Sequence, residues 1–159
     1  PIPCHITLKN STYLESGTEL EVLELLKSLA DGFRPVQLNF KNINNGHTSS
    51  GWSLLLEIVE DEESVFLREF QKRIRENFEK FGHTIKDSYA RYESEFNPHI
   101  TIASRLTLEQ LNETTEEFRL IDNEPFYDCV ITTLQLVFAE VDNGIEIDSS
   151  RRFIDIPLN

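Results

Sequence analysis

At 159 residues the chain is long enough for one domain, or for two small lobes sharing a core. A formal charge of −13 leaves no basic footprint for gripping long nucleic acid through many phosphates, so an RNA partner is expected to be a terminus or a short oligonucleotide met by a local positive patch; the plainer reading of the acidity is that it keeps a cytoplasmic protein soluble. No run approaches the roughly 18 apolar residues of a membrane span, and Pro1-Ile2-Pro3-Cys4-His5 shows no basic-then-apolar secretory pattern.

The first predicted element is a strand over Cys4 to Lys9, C-H-I-T-L-K, in which apolar and polar residues alternate. Thr18-x-x-Glu21 has the form of a capping box and opens a helix carrying Leu20, Leu23, Leu26 and Leu29 to about Gly32. Pro35 to Asn42 alternates as a strand, Asn44 to Ser50 reads as a loop, and Gly51 to Glu60 reads as a third strand buried on both faces at Leu54, Leu55 and Leu56. The longest helix is expected from Glu62 to Phe81. Phe66, Phe70, Ile74, Phe78 and Phe81 recur along it at near-helical spacing and form a core stripe.

Gly82 to Asn97 is mixed and polar, and reads as a loop or irregular hairpin. Pro98 to Ala103, P-H-I-T-I-A, is a strand by its alternation. Thr107-x-x-Gln110 is a second capping box before a helix with Leu108, Leu111 and Phe118. Strands are expected at Phe126 to Val130, Thr133 to Val141 and Arg152 to Pro157. Asp142-Asn143-Gly144 forms a hairpin turn. Cys4 and Cys129 have no metal-ligand or redox spacing and sit in apolar, strand-like surroundings. Buried thiols are favoured there over a disulfide.

An order recurs along the chain. A strand with His-Ile-Thr, a capping box, a leucine-bearing helix and then two strands appear from His5 and again from His99. Such a duplicated unit, folded as two pseudo-symmetric lobes, would bring the two His-Ile-Thr strands face to face across a cleft. Residues two apart on a strand project to the same side. His5 therefore shares a face with Thr7, and His99 with Thr101, while the isoleucine between them packs the other way.

Two such pairs around one phosphate make a full acid–base set. One neutral imidazole takes a proton, one imidazolium gives a proton to the leaving oxygen, and the threonine hydroxyls donate to the non-bridging oxygens. Imidazole suits both roles because its ordinary pKa of about 6.5 lies near working pH. This chemistry needs no metal and no cofactor. A single match is weak evidence: with 11 Thr and 12 Ser in 159 residues, any histidine has about a one-in-seven chance of a hydroxyl two positions on. His47-Thr48-Ser49, in a turn-rich stretch, is read as such a chance match, and His83 fails the pattern because Ile85 follows at the second position. The other two matches share His-Ile-Thr, strand context and a place at the head of the repeated unit.

C-H-I-T-L-K and P-H-I-T-I-A resemble the paired signatures of the 2H phosphoesterase superfamily, which includes bacterial 2′-5′ RNA ligase-like and cyclic phosphodiesterase proteins. The resemblance spans motif order, spacing, the intervening helices and the terminal strands. It implies a bilobal α+β fold, one domain over residues 1–159, with two antiparallel sheets lining a central cleft and helices outside. It also implies that His5 and His99 are the acid–base pair and that Thr7 and Thr101 bind the phosphate. Substrates implied are 2′,3′-cyclic phosphates, 2′-5′ linkages or RNA 3′ ends. Cys4 departs from the proline that many relatives carry before the first histidine.

Further candidate substrate contacts are Lys9 and Arg105, just beyond the motifs, and Tyr89, Arg91 and Tyr92 before the second one, where an aromatic or guanidinium group could stack a base. Surface solvation or ordinary packing competes for each of them. Trp52 and Phe40 are read as core. Two functions stay open: an enzyme acting on RNA-type phosphates, or a module that binds nucleotide or RNA ends in the same cleft without turnover. Metal-bound histidine chemistry is disfavoured, because the motifs carry no carboxylate at a ligand spacing.

Overall fold

The computed structural model of the chain describes residues 5–14, 17–48, 50–84, 87–121, 126–143 and 145–159. Its architecture is α+β: among the described residues four α-helices accompany a four-stranded antiparallel sheet and three two-stranded ones, one of which forms the second sheet of the core.

The large sheet runs in the order β5 (His99–Leu106), β3 (Gly51–Ile58), β2 (Val36–Thr48) and β6 (Phe126–Ile131). One face is apolar by alternation: Val36, Leu38 and Phe40 of β2 and Leu54, Leu56 and Ile58 of β3 are all buried. The pairing Phe40–Ile58 gives way to Ile43–Leu56, so β2 carries one extra residue there. Asn42 absorbs it at φ 71°, the left-handed conformation that asparagine tolerates at a bulge. The expected loop from Asn44 is instead strand. Once the bulge restores register, Asn44 to Thr48 pair with Leu55 to Gly51, and the turn shrinks to the hairpin end.

Helix α1 (Glu19–Asp31) buries Val22, Leu26 and Ala30, spaced by four; of the expected leucine row Leu26 is core and Leu23 and Leu29 pack against it, and only Leu20 turns outward. Leu20 is 75% exposed. Thr18 is the N-cap residue, but its side chain makes no capping bond. Helix α2 (Glu62–Phe78) is capped by a reciprocal Asp61–Ser64 box that the sequence reading missed: Ser64 N–H donates to Asp61 Oδ1 at 2.8 Å, and Asp61 N–H to Ser64 Oγ at 3.0 Å. Its stripe packs as expected. Phe70, Ile74, Phe78 and, past the helix end, Phe81 are buried, and Phe70 stacks on Phe33 with ring centroids 3.7 Å apart.

The polar stretch after Gly82 is not a loop throughout. Gly82–Thr84 (β4) pairs with Thr12–Leu14 (β1), and Asp87–Ser94 forms helix α3. Helix α4 (Leu108–Ile121) has its expected box: Gln110 N–H donates to Thr107 Oγ1 at 3.2 Å, and Thr107 N–H to Gln110 Oε1 at 2.9 Å. The second sheet pairs β7 (Thr133–Phe138) with β10 (Arg152–Pro157), and its Leu134 and Ile156 join the core of α1, α2 and the large sheet. The expected hairpin forms between β8 (Val141–Asp142) and β9 (Ile145–Glu146), with Asn143 at φ 50°.

The repeated unit recurs in order, helix then strands, but the pairing differs between its copies. β2 and β3 pair with each other, whereas β6 joins β2 and β7 joins β10. The first His-Ile-Thr segment also differs. Residues 5–11 lie in no strand and bend at Leu8 and Lys9. No helix among the described residues is long and apolar enough to cross a membrane.

Candidate active site

The second motif stands at the start of β5. Pro98 is fully buried and fixes the entry, and the ladder then sets His99 opposite Glu57, Ile100 opposite Leu56 and Thr101 opposite Leu55. Ile100 and Leu56 belong to the core, so His99 and Thr101 project from the other face beside Glu57 and Leu55. Thr101 is exposed and His99 half-buried. His99 Nδ1 lies 2.9 Å from the carbonyl oxygen of Asn97. A carbonyl only accepts, so this bond puts the proton on Nδ1 and leaves Nε2 as the open ring nitrogen. Tyr92 meets the ring edge-on, with centroids 6.0 Å apart and planes at 85°. Burial, reinforced by the neighbouring Glu93 charge, raises the Tyr92 phenol above its ordinary pKa, so it stays protonated at neutral pH.

The first motif keeps its alternation without a ladder. His5 and Thr7 are exposed, while Ile6 and Leu8 pack against the same core that holds Ile100. The bend at Leu8 and Lys9 then ends the regular alternation that would have put Lys9 on the face of His5 and Thr7. The Lys9 ammonium turns inward, its side chain 12% exposed, and donates to Glu93 Oε1 at 2.9 Å and to Thr12 Oγ1 at 2.8 Å. The Asn10 N–H donates to the same Glu93 oxygen at 2.8 Å. Glu93 adjoins Tyr92, so contacts run from the first motif's chain through Glu93 and Tyr92 to the His99 ring.

The remaining candidates sit apart from this chain of contacts. Arg91 is exposed on α3 and pairs with Glu95 at 3.4 Å. Arg105 is exposed near the far end of β5 at φ 60°. Tyr89 falls on α3 with its side chain outside the described residues. His47 lies on β2 rather than in a loop, its ring centroid 4.5 Å from that of half-buried Trp52. Phe40, as expected, is core. Cys129 is half-buried on β6 opposite Leu38, and Cys4 lies outside the described residues. Among the described residues no cluster of three or more His, Cys, Asp or Glu is arranged to hold a metal ion.

Sequence reasoning missed Glu57 and Glu93. Alternation along β3 puts Glu57 on the polar face, but only the β3–β5 register sets it beside His99. Glu93 carries no local signal: it is one of several acidic residues in a polar stretch, and its 84-residue reach to Lys9 exists only in three dimensions.

The sequence profile of the 2′-5′ RNA ligase superfamily matches residues 1–143, and the chain belongs to that superfamily. Comparison with curated proteins gives no significant match. Membership carries a 2H phosphoesterase-type activity in general terms, with small RNA-type substrates.

Proposed function

We propose that the chain is a metal-independent phosphodiesterase acting on RNA-type phosphates, a 2′,3′-cyclic phosphate or a 2′-5′ linkage, with His5 and His99 as the acid–base pair. Thr7 and Thr101 donate to the non-bridging oxygens, and residues 1–159 work as one domain of two lobes. The observation that carries this reading is the anchoring of two His-x-Thr pairs. Each turns away from an intervening isoleucine, Ile6 or Ile100, that packs into one common core.

On a cyclic phosphate, one neutral imidazole removes a proton from water as the water oxygen attacks phosphorus. The bond from phosphorus to one ribose oxygen breaks, and the other histidine, as imidazolium, protonates that oxygen. The product is a phosphomonoester beside a free hydroxyl. On a 2′-5′ linkage the base instead deprotonates the adjacent 3′ hydroxyl, which attacks phosphorus and expels the 5′ oxygen as a protonated hydroxyl, leaving a 2′,3′-cyclic phosphate. Run backwards, that step is ligation. The Asn97 carbonyl at His99 Nδ1 supports Nε2 as the nitrogen that exchanges the substrate proton.

Purified protein should turn over at least one member of a panel of 2′,3′-cyclic mononucleotides and short 2′-5′ and 3′-5′ oligomers, with chelators present. His5→Ala and His99→Ala should each lower kcat by about 10²–10⁴-fold, the range of a positioned acid or base. Full turnover in either variant would refute the mechanism. Saturable nucleotide binding by the parent with no turnover of any substrate would establish the binding-module reading in its place.

A further inference from the structure

We infer that Glu93 is a positioning residue: its buried carboxylate sets where the first motif stands relative to His99. This inference rests on the paired-histidine reading above. Residues 5–11 belong to no strand, so no ladder fixes the register of His5 and Thr7. Ile6 and Leu8 hold that segment to the core, but apolar packing is non-directional. A directional hold among the described residues comes just after Thr7. Glu93 Oε1 takes the Lys9 ammonium at 2.9 Å and the Asn10 N–H at 2.8 Å. Glu93 is itself fixed from behind, its backbone carbonyl accepting from Gln71 Nε2 of α2 at 3.2 Å and from an Arg75 guanidinium nitrogen at 3.4 Å.

The burial of this pair, 12% and 2% side-chain exposure, argues for geometry over stability. Desolvating two charges costs as much as their attraction returns, and apolar residues of similar volume would hold such a site as firmly or better. What apolar residues would lack is a charge-assisted joint of defined length and direction. One side of that joint is two residues from Thr7. The other side is next to Tyr92, whose ring lies against His99. Loosening it should misplace one half of the acid–base set while leaving the second motif on its ladder.

The test uses Glu93→Gln in the full chain, which keeps side-chain volume and an acceptor for Asn10 but removes the charge. It is assayed on whichever of 2′,3′-cyclic AMP or the 2′-5′ adenylate dimer the parent consumes. The expected result is a kcat lower by about 100-fold, the scale of a 1 Å misplacement, with KM changed by less than about threefold. Combining Glu93→Gln with Thr7→Ala should leave kcat within about threefold of the worse single variant, because both act through the same segment. Lost stability alone would add to Thr7→Ala instead. The pair Lys9→Met with Glu93→Leu replaces the joint by apolar packing, so it should fold and still show low kcat. Parental kcat in a folded Glu93→Gln or Lys9→Met/Glu93→Leu protein would overturn the inference, as would effects that multiply with Thr7→Ala. Inactive His5→Ala and His99→Ala beside a fully active Glu93→Gln would sink this inference alone. Active histidine variants would remove the reading beneath it, and this inference with it.

Discussion

Gly51→Ala tests whether the hairpin end that positions β5 depends on a residue without a side chain. Gly51 sits at φ +121°, and a Cβ there would lie 2.9 Å from the Leu106 carbonyl oxygen and 3.2 and 3.3 Å from Arg105 C and Cα. All three are backbone atoms, so no rotamer change relieves the contact. The backbone conformation costs about 1–3 kcal/mol for a residue with a Cβ, and forcing the strands apart adds about 1–3 kcal/mol. A destabilisation of about 3 kcal/mol is expected, which at a urea slope of about 2 kcal/mol/M lowers the midpoint by about 1.5 M. Gly46→Ala is the control. Its Cβ would touch only the end of the Leu55 side chain at 3.4 Å, so it should stay within about 0.5 kcal/mol of the parent. The register shifts between Trp52 and Leu54 and between Leu54 and Leu55 lie between Gly51 and the Thr101 pairing. They should absorb the displacement and leave kcat of the folded variant close to parental. Equal midpoints for the Gly51→Ala protein and the parent would refute the close approach.

Charge and burial give two more expectations. For a chain of net charge −13, raising salt from 0.01 to 0.15 M shortens the screening length from about 30 to about 8 Å, so kcat/KM on a dinucleotide should hold steady or rise; a steep log–log fall would mark many phosphate contacts and refute the short-substrate reading. The raised pKa of Tyr92 means that above pH about 10 the unfolded chain ionises this phenol first, so the stability it contributes is complete below that pH and is lost as pH climbs through the folded value. Tm should fall between pH 9 and 10.5 by less in Tyr92→Phe than in the parent, and identical slopes would show that the phenol is not desolvated.

The parts of the fold that were legible in sequence are those whose signal is local. The α2 stripe of Phe70, Ile74 and Phe78, the Thr107–Gln110 box, the Asp142–Asn143 turn and the span of β10 each depend on residues a few positions apart. Misreadings cluster where distant partners decide. Asn44 to Thr48 looks like loop by composition but is held as strand by β3. Helix α3 is short and polar, and its Tyr92, with Phe96 just past the helix end, gains meaning only against the core. The first motif, alternating like a strand, is laddered to nothing in the described structure and is held by packing and by Glu93.

The sequence alone determined the chemistry on offer, because alternation around Ile6 and Ile100 is enough to put each imidazole beside a hydroxyl and turn both outward. It also determined the acidic character that favours short substrates. Tertiary structure decided how those groups are held. The β3–β5 register places Glu57 beside His99, the Asn97 carbonyl selects Nε2, and Glu93 ties Lys9 and Asn10 to the helix that leads into the second motif. Hydrogen bonds and buried charges between residues 84 positions apart leave no periodic trace in a sequence, because their energy depends on direction and desolvation that exist only once the chain has closed.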